Sequence, residues 1–342
     1  MLWTAVLLAS VPFTASAPRA AEPLSTPAEH RRGPEQTFLT FPEWYLVHSP
    51  AEYAAYLGSH APSGFPLFAH IGQFWQSYRA VSSATAEYPF NGGYHLMVSV
   101  IGTSTTVEYG LKGLYERTAG RIAEATAGGA RTAEDDYAAR VAQEYVDFIR
   151  GQPWYEFDFG SRLKNLWTSV PWSGPHLVRK WERRYALTTE YLVKEGYARL
   201  IKLGTQSIYD APKPTTAIAL DRLPAGAATK LPELEVLQTA PDGSVLVRVP
   251  RYAAFKDHAA TLADDGASFL EIAGNRSEIL LSVLARTAWK PEVQGARVLF
   301  TQPILTEPGR ERVVVAVSVT RLAEVLRAAR ADGSKLEHVY DY

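Results

Sequence analysis

Cysteine is absent from this chain of 342 residues. Its absence excludes thiolate nucleophiles, iron–sulfur clusters and the zinc sites that cysteine builds. A metal would therefore need histidine and carboxylate ligands, and the sequence assigns neither a metal nor a cofactor. Large chains fold without disulfides in oxidising compartments too, so the compartment has to be inferred from the N-terminus.

An excess of charge of one sign is also missing. The chain has 35 lysine and arginine residues against 36 aspartate and glutamate residues, a formal net charge of -1 at pH 7. General binding to nucleic acid requires a basic field, so we exclude nucleic acid as a partner. The length suffices for two domains, each with its own core.

Motifs that specify a reaction by their spacing are missing as well. The sequence contains neither HExxH nor CxxCH, and Ser104 lacks the G-x-S-x-G pattern of a nucleophile elbow. The segment Asn91-Gly92-Gly93 resembles an anion-binding loop but lacks the lysine of a phosphate loop, which favours a plain turn. Whether the protein is an enzyme is not decided by these patterns.

The N-terminus has the features of an export segment. Residues 1–18 carry no charged side chain, and an apolar run from Leu2 to Phe13 precedes the A-x-A sequence Ala15-Ser16-Ala17. We therefore predict a signal peptide or membrane anchor, and a periplasmic or extracellular location with or without an anchor. No lysine or arginine precedes the run, which is atypical for a signal peptide. No later stretch is long and apolar enough to cross a bilayer.

Three further segments follow in the sequence. Residues 19–36 are rich in proline, alanine and charge without periodicity, which predicts a linker. Residues 37–212 show helical patterns and many aromatic residues, which predicts a mainly helical domain. Residues 213–342 alternate between β-branched runs and turn residues, which predicts an α+β domain.

Several helices are predicted in the first domain from capping residues and apolar spacing. Ser49, Pro50 and Glu52 occupy the N-cap, N1 and N3 positions of a helix that runs through Leu57. Apolar and capping patterns predict further helices over 67–82, 94–117, 133–150 and 181–209. The β-branched residues of 94–117 leave a strand open as the alternative. As a helix, it would have a small-residue face for close packing, formed by Ser99, Gly102, Thr106, Gly110 and Gly113.

The second domain is predicted to contain three hairpins, over 234–249, 269–285 and 298–319. Helices are predicted over 251–265 and 320–331, and the last residues alternate like a final strand. This order predicts an antiparallel sheet with helices on one face, similar in architecture to ferredoxin-like α+β domains.

The densest run of aromatic residues, Thr37 to Glu116, is interpreted as an aromatic core or as the wall of a ligand pocket. Histidine is the commonest metal ligand and base near neutral pH, and carboxylates beside aromatic rings are open to pKa shifts. The simpler alternatives are hydrogen-bonded structural histidines and, for Glu108 and Lys112, an i,i+4 surface pair. The ligand-binding candidates are Glu43, Trp44, His70, Trp75, His95 and Glu108.

Residues 154–185 combine aromatic anchors with basic side chains, a pattern typical of surfaces that rest on lipid headgroups. The membrane-surface candidates are Trp167, Trp172, Arg179, Lys180, Arg183 and Arg184. The alternative is that the basic residues are solvated or pair with the acidic stretch 134–136. Further along, Glu190 and Lys194 form an i,i+4 pair, and Lys194 falls in line with an apolar stripe.

These observations favour a non-catalytic, exported or membrane-associated protein. Its aromatic N-terminal domain would bind a partner or an apolar ligand, and its α+β domain would support assembly. The expected partners are a membrane surface and another protein. The alternative is an enzyme or redox protein with a His/carboxylate site, for a metal or haem, in the N-terminal domain. A purely structural oligomer is the third hypothesis.

Overall fold

The computed structural model describes residues 24–205 and 214–341. The predicted signal peptide or anchor, 1–18, lies outside these residues, as does the junction at 212/213. The N-terminal half is helical and the C-terminal half contains two antiparallel sheets, so the predicted α+β class is confirmed. Among the residues described, no helix combines the length and apolarity needed to cross a membrane.

Seven α-helices make up the described N-terminal half. They are α1 (Gln36–Leu57), α2 (Leu67–Ala84), α3 (Gly92–Tyr115), α4 (Arg121–Thr126), α5 (Ala133–Ile149), α6 (Phe159–Thr168) and α7 (Leu177–Thr205). A π-helical turn, Glu116–Gly120, joins α3 to α4. The helical prediction for 94–117 is therefore confirmed over the strand alternative.

Helix α1 begins 13 residues before the predicted N-cap Ser49 and contains two internal prolines, Pro42 and Pro50. A proline inside a helix removes a hydrogen bond and normally ends or kinks it. Here Phe38 and Phe41 on the same helix are fully buried against the C-terminal half. We attribute the continuation of α1 through Pro50 to this burial, which outweighs a local stop signal.

Other local predictions for the helices are confirmed. The capping box of α5 forms as expected, with Thr132 and Asp135 bonding to each other's backbone amide groups. Helix α3 approaches α2 closely through its small residues. A Cβ placed on Gly102 would lie 2.3 Å from the Phe74 ring, and one on Gly113 would lie 2.9 Å from the Phe68 ring.

The C-terminal half contains two sheets of four strands. The first has the order β2-β3-β1-β4 and the second the order β6-β7-β5-β8. The elements in chain order are β1 (Thr215–Leu220), α8 (Ala227–Lys230), β2 (Glu235–Thr239), β3 (Val245–Pro250), α9 (Ala253–Asp264), β4 (Phe269–Ile272), β5 (Glu278–Arg286), β6 (Arg297–Pro303), β7 (Arg310–Ser318), α10 (Leu322–Ala331) and β8 (Lys335–Tyr340).

Both sheets have the strand order of a ferredoxin-like unit, so this half is a pair of such units instead of the single sheet that the sequence predicts. In the second unit, no helix lies between β5 and β6. The hairpins β2–β3 and β6–β7 form as predicted. The predicted hairpin over 269–285 is wrong, because β4 pairs with β1 while β5 pairs with β7 and β8.

The two sheets enclose one apolar core that includes α9 and α10. The opposite face of the second sheet packs on the helical half, where Leu280, Val314 and Tyr340 contact Phe38 and Phe41. Helices α1 and α2 therefore both connect the second sheet to the rest of the helices, α2 through hydrogen bonds of Gln73 with β6.

The described part of the predicted linker lies along the first sheet. Leu24 packs on Ala217, Ala219 and Leu246 at the outer face of that sheet. The Arg32 backbone N–H donates to the Ala273 carbonyl at 2.9 Å. Isolated contacts of this kind leave no periodic pattern in the sequence, so the sequence predicts only a linker here.

Candidate functional site

A cleft of about 1020 Å³ opens between α3 and α7 in the helical half. Its wall includes Leu96, Val100 and Leu111 from α3 and Val193 and Tyr197 from α7. Ligand pockets typically measure roughly 300–1,000 Å³ and are mainly apolar, and this cleft lies at the upper end of that range.

The sequence of α3 explains why this wall is apolar and open. Leu96, Val100, Val107 and Leu111 recur at spacings that place them on one side of the helix, while Gly102 and Gly113 face α2. These four aliphatic side chains are each more than half exposed to solvent. Scattered exposed apolar residues are common, but a continuous stripe along a cleft marks a binding surface.

A smaller chamber of about 100 Å³, lined by both polar and apolar side chains, adjoins the cleft. Ion pairs between α3 and α7 form part of its wall. Lys112 donates to Glu190 at 3.0 Å, and Lys194 donates to the other oxygen of Glu190 at 2.8 Å. Lys194 also pairs with Glu108 at 3.2 Å. The ammonium of Lys112 lies 4.3 Å from the centre of the Tyr53 ring.

The charges of this chamber hold each other in the ionised state. Burial alone would raise the pKa of Glu190, but Lys112 and Lys194 lower it well below its usual range. Burial alone would lower the pKa of both lysines, but the neighbouring carboxylates raise it. At neutral pH the chamber therefore contains two ammonium groups.

A buried chain of polar groups leads from the chamber into α1. The Tyr109 hydroxyl, which lines the chamber, lies 2.9 Å from the Ser49 hydroxyl. Ser49 Oγ lies 3.0 Å from His70 Nδ1, and His70 Nε2 lies 3.6 Å from a carboxylate oxygen of Glu52. The Tyr45 hydroxyl donates to the His70 carbonyl at 2.7 Å.

The chain continues to the second sheet. Arg312 on β7 donates to Glu52 at 3.0 Å and to both oxygens of Glu337 on β8, at 2.6 and 2.7 Å. Glu337 lies 3.5 Å from His48 Nδ1. Burial and the Arg312 charge lower the pKa of His70 to about 3, and burial lowers that of His48 to about 4. Both imidazoles are therefore neutral at pH 7.

The six ligand-binding candidates are distributed over several places. Glu108 lines the cleft and the chamber, and His70 is hydrogen-bonded to Ser49 and Tyr45, which line the chamber. The Trp75 indole donates to Thr106 at the α2–α3 contact. Glu43 accepts a hydrogen bond from Tyr94, and Trp44 packs on the His338 ring with centroids 3.6 Å apart.

The two histidine candidates, His70 and His95, contact different parts of α3. His95 is hydrogen-bonded to Tyr78 near the start of α3, whereas His70 contacts Tyr109, which comes 14 residues later on α3. At about 1.5 Å per residue, this separation is about 21 Å along the helix axis. In 24–205 and 214–341, no group of three or more histidine and acidic side chains is arranged to hold a metal ion.

The four basic membrane-surface candidates are buried, so they do not form the exposed basic face that the sequence predicts. Lys180 and Arg184 pair with Glu134 at 2.8 and 2.6 Å, and Arg179 pairs with Asp135 at 2.8 Å. Arg183 pairs with Glu116 of the π-helical turn at 2.9 Å. Three of the four basic residues therefore pair with the acidic stretch 134–136, which was the alternative interpretation of the sequence.

The two tryptophan candidates lie next to this buried cluster. The guanidinium of Arg184 lies 5.4 to 5.5 Å from the ring centres of Trp167, Trp172 and Trp181. The Trp167 indole donates to Thr188 at 3.0 Å. Trp172 and Trp181 are exposed, so aromatic rings do reach the surface at this end of α7.

Sequence spacing identified only part of the chamber. The pair Glu190–Lys194 forms as predicted, but Lys112 pairs with Glu190 of α7 instead of Glu108 on its own helix. Glu108 pairs with Lys194, also across helices. The sequence did single out Lys194, because it falls in line with apolar residues of α7 that are buried in the structure. It did not indicate the partner of Lys194 on α3.

No protein-family model matches this sequence, and no curated protein or solved structure matches the chain.

Proposed function

We propose that the helical half is a binding module that takes up an apolar ligand in the cleft between α3 and α7. One observation carries this proposal. A stripe of aliphatic side chains on α3 stays more than half exposed where it lines a large cleft. Covering such a side chain contributes roughly 1–2 kcal/mol, so a ligand that covers several of them gains substantial affinity.

A dye titration tests this proposal. The neutral apolar dye 1,6-diphenylhexatriene becomes fluorescent when it leaves water, and we expect saturable binding to the full chain. Val100→Trp places a bulky ring in the cleft and should weaken dye binding at least tenfold. The matched control is Val178→Trp, which adds the same ring at an exposed position of α7 that does not line the cleft. Absence of saturable binding, or equal effects of the two variants, would refute the proposal.

We further propose that the protein is exported or membrane-associated, and that it acts at a membrane surface or with a protein partner. The apolar segment 2–13 and the A-x-A sequence after it support export. The exposed Trp172 and Trp181 provide aromatic rings suited to a lipid interface. Fractionation of cells expressing the full chain tests this. Protein found only in the cytosol with an intact N-terminus would contradict export.

A second candidate function is hydrolysis, favoured by the order Ser49, His70, Glu52 along one chain of polar contacts at the chamber. A serine, a base and an orienting carboxylate are the parts of a nucleophilic enzyme. The lowered pKa of His70 makes it a weak proton acceptor at neutral pH, so we rank this second. Labelling by a fluorophosphonate that Ser49→Ala abolishes would support it, and absence of labelling would exclude it.

A further inference from the structure

The cleft and the chamber adjoin each other and share part of their lining. Glu108, Lys112, Glu190 and Lys194 line both. The outer part is lined mainly by aliphatic side chains of α3 and α7. A ligand that matches both is therefore an amphiphile, with its polar group in the chamber and its chain along the cleft.

Two lysines and two carboxylates line the chamber, and the carboxylates differ in how far they are exposed to solvent. Lys112 and Lys194 are both partly buried and share one partly buried carboxylate, Glu190. The second carboxylate, Glu108, is 47% exposed and reaches only Lys194. A ligand anion that replaced Glu108 would leave that carboxylate free to turn into water, so the exchange does not bury an unpaired charge.

Hydrogen-bond donors are available for such an anion. An ammonium group has three donors. Among the residues described, Lys112 donates to Glu190 alone, and Lys194 has contacts with Glu190 and Glu108. The phenols of Tyr53 and Tyr145 also line the chamber. Charge-assisted hydrogen bonds from two ammonium groups to one anion are among the strongest in proteins.

The size of the chamber restricts the head group. A space of about 100 Å³ accommodates a group of a few non-hydrogen atoms, such as a carboxylate. A glycerol phosphate head group, as in lysophosphatidate, is larger. The cleft outside is lined mainly by aliphatic side chains of α3 and α7, which suits the aliphatic part of the ligand.

We propose that the ligand is a single-chain aliphatic carboxylate, with its carboxylate held by Lys112 and Lys194 and its chain lying between α3 and α7. This inference rests on the proposed binding function and names the ligand class for the same cleft. Its distinctive consequence is a preference for the ionised head group over an uncharged one on the same chain.

Displacement of the apolar dye from the full chain tests the inference. The competitors are hexadecanoate, 1-hexadecanol and a lysophosphatidate with the same chain. We expect hexadecanoate to bind at least tenfold more tightly than the other two. Lys194→Met should remove this preference, while the matched Lys164→Met, at an exposed position on α6, should retain it.

A second variant keeps the inference testable if Lys194→Met does not fold. Glu108→Gln removes the carboxylate that competes with the ligand and keeps both lysines, so hexadecanoate should bind several-fold more tightly while hexadecanol is unaffected. Equal affinities of hexadecanoate and hexadecanol, unchanged in both variants, would overturn the carboxylate assignment and leave apolar binding intact. Tighter binding of lysophosphatidate would overturn it too. Failure of all three ligands and of the dye would overturn the binding function itself.

Discussion

The two halves of this protein distribute polarity in opposite ways. In the C-terminal half, valine, leucine and isoleucine side chains from both sheets fill one apolar core. In the helical half, α7 buries Arg179, Lys180, Arg183 and Arg184 while Leu192, Val193 and Leu200 are exposed. An apolar core accounts for the stability of the C-terminal half, whereas apolar side chains exposed beside buried charges are typical of binding surfaces. The comparison therefore supports the proposal that the sheets form the framework and that the helices bind a ligand.

Removing the central acid of the buried ion cluster should have the largest effect. Glu134→Ala leaves Lys180 and Arg184 buried without their carboxylate. We expect the free energy of unfolding to fall by about 3–5 kcal/mol, measured by urea denaturation. Asp147→Ala, which breaks an exposed pair with Arg150, is the control and should cost less than about 1 kcal/mol. Similar losses for both variants would show that burial of the cluster contributes little.

The next test compares the same substitution in the two halves. Leu281 on β5 is fully buried in the sheet core, and Leu200 on α7 is 65% exposed. Leu281→Ala should lower the free energy of unfolding by about 2–4 kcal/mol, and Leu200→Ala by less than about 0.5 kcal/mol. Urea denaturation of both variants measures the difference. An equally large loss for Leu200→Ala would mean that this side chain is covered in the protein in solution.

The polar contact between the halves should make stability depend on pH. His48 and His70 have folded pKa values of about 4 and about 3, below the ordinary value of 6.5. The unfolded chain therefore binds protons that the folded chain excludes, and stability is lost as pH falls below 6.5. We expect a loss of about 2 kcal/mol for each imidazole between pH 6.5 and 4.5.

Urea denaturation at a series of pH values measures this loss. His70→Gln keeps a polar side chain at the same position but does not titrate, so its stability should fall less steeply over that window. An identical pH dependence in the parent and the variant would show that folding does not lower the pKa of His70.

The smallest expected effect comes from a helix cap. Thr132→Ala removes one side of the capping box of α5, beside the ion cluster of Glu134 and Asp135. We expect a loss of about 1 kcal/mol in the free energy of unfolding, measured by urea denaturation. Thr168→Ala, at the exposed C-terminal end of α6, is the control and should be close to neutral. A loss well above the control's supports the capping role, and no difference between them contradicts it.

Local signals predicted most of the secondary structure. Capping residues and apolar spacing placed α2, α3, α5, α7 and the helices α9 and α10 within a few residues. Two of the exceptions arise from contact with distant residues. Helix α1 begins early because Phe38 and Phe41 are buried on the second sheet, and β4 and β5 belong to different sheets because each has better partners elsewhere.

The candidate site was less predictable than the fold. Glu108 and Lys194 were each noticed for spacing within their own helix, yet in the structure they form an ion pair between α3 and α7. His70 and His95 attract attention as residue types, but His70 on α2 contacts Tyr109 of α3, whereas His95 lies near the start of α3. Side-chain chemistry alone does not specify which residues meet.

The sequence by itself determined where helices and strands form, because caps, turns and periodicity act between residues close in the chain. It also determined the α+β class through the change of pattern after Pro214. Only the tertiary structure decided which face of α7 is buried, which strands share a sheet and which acids meet the basic residues of α7. Those outcomes depend on packing and charge pairing between residues far apart in the chain, for which spacing carries no information.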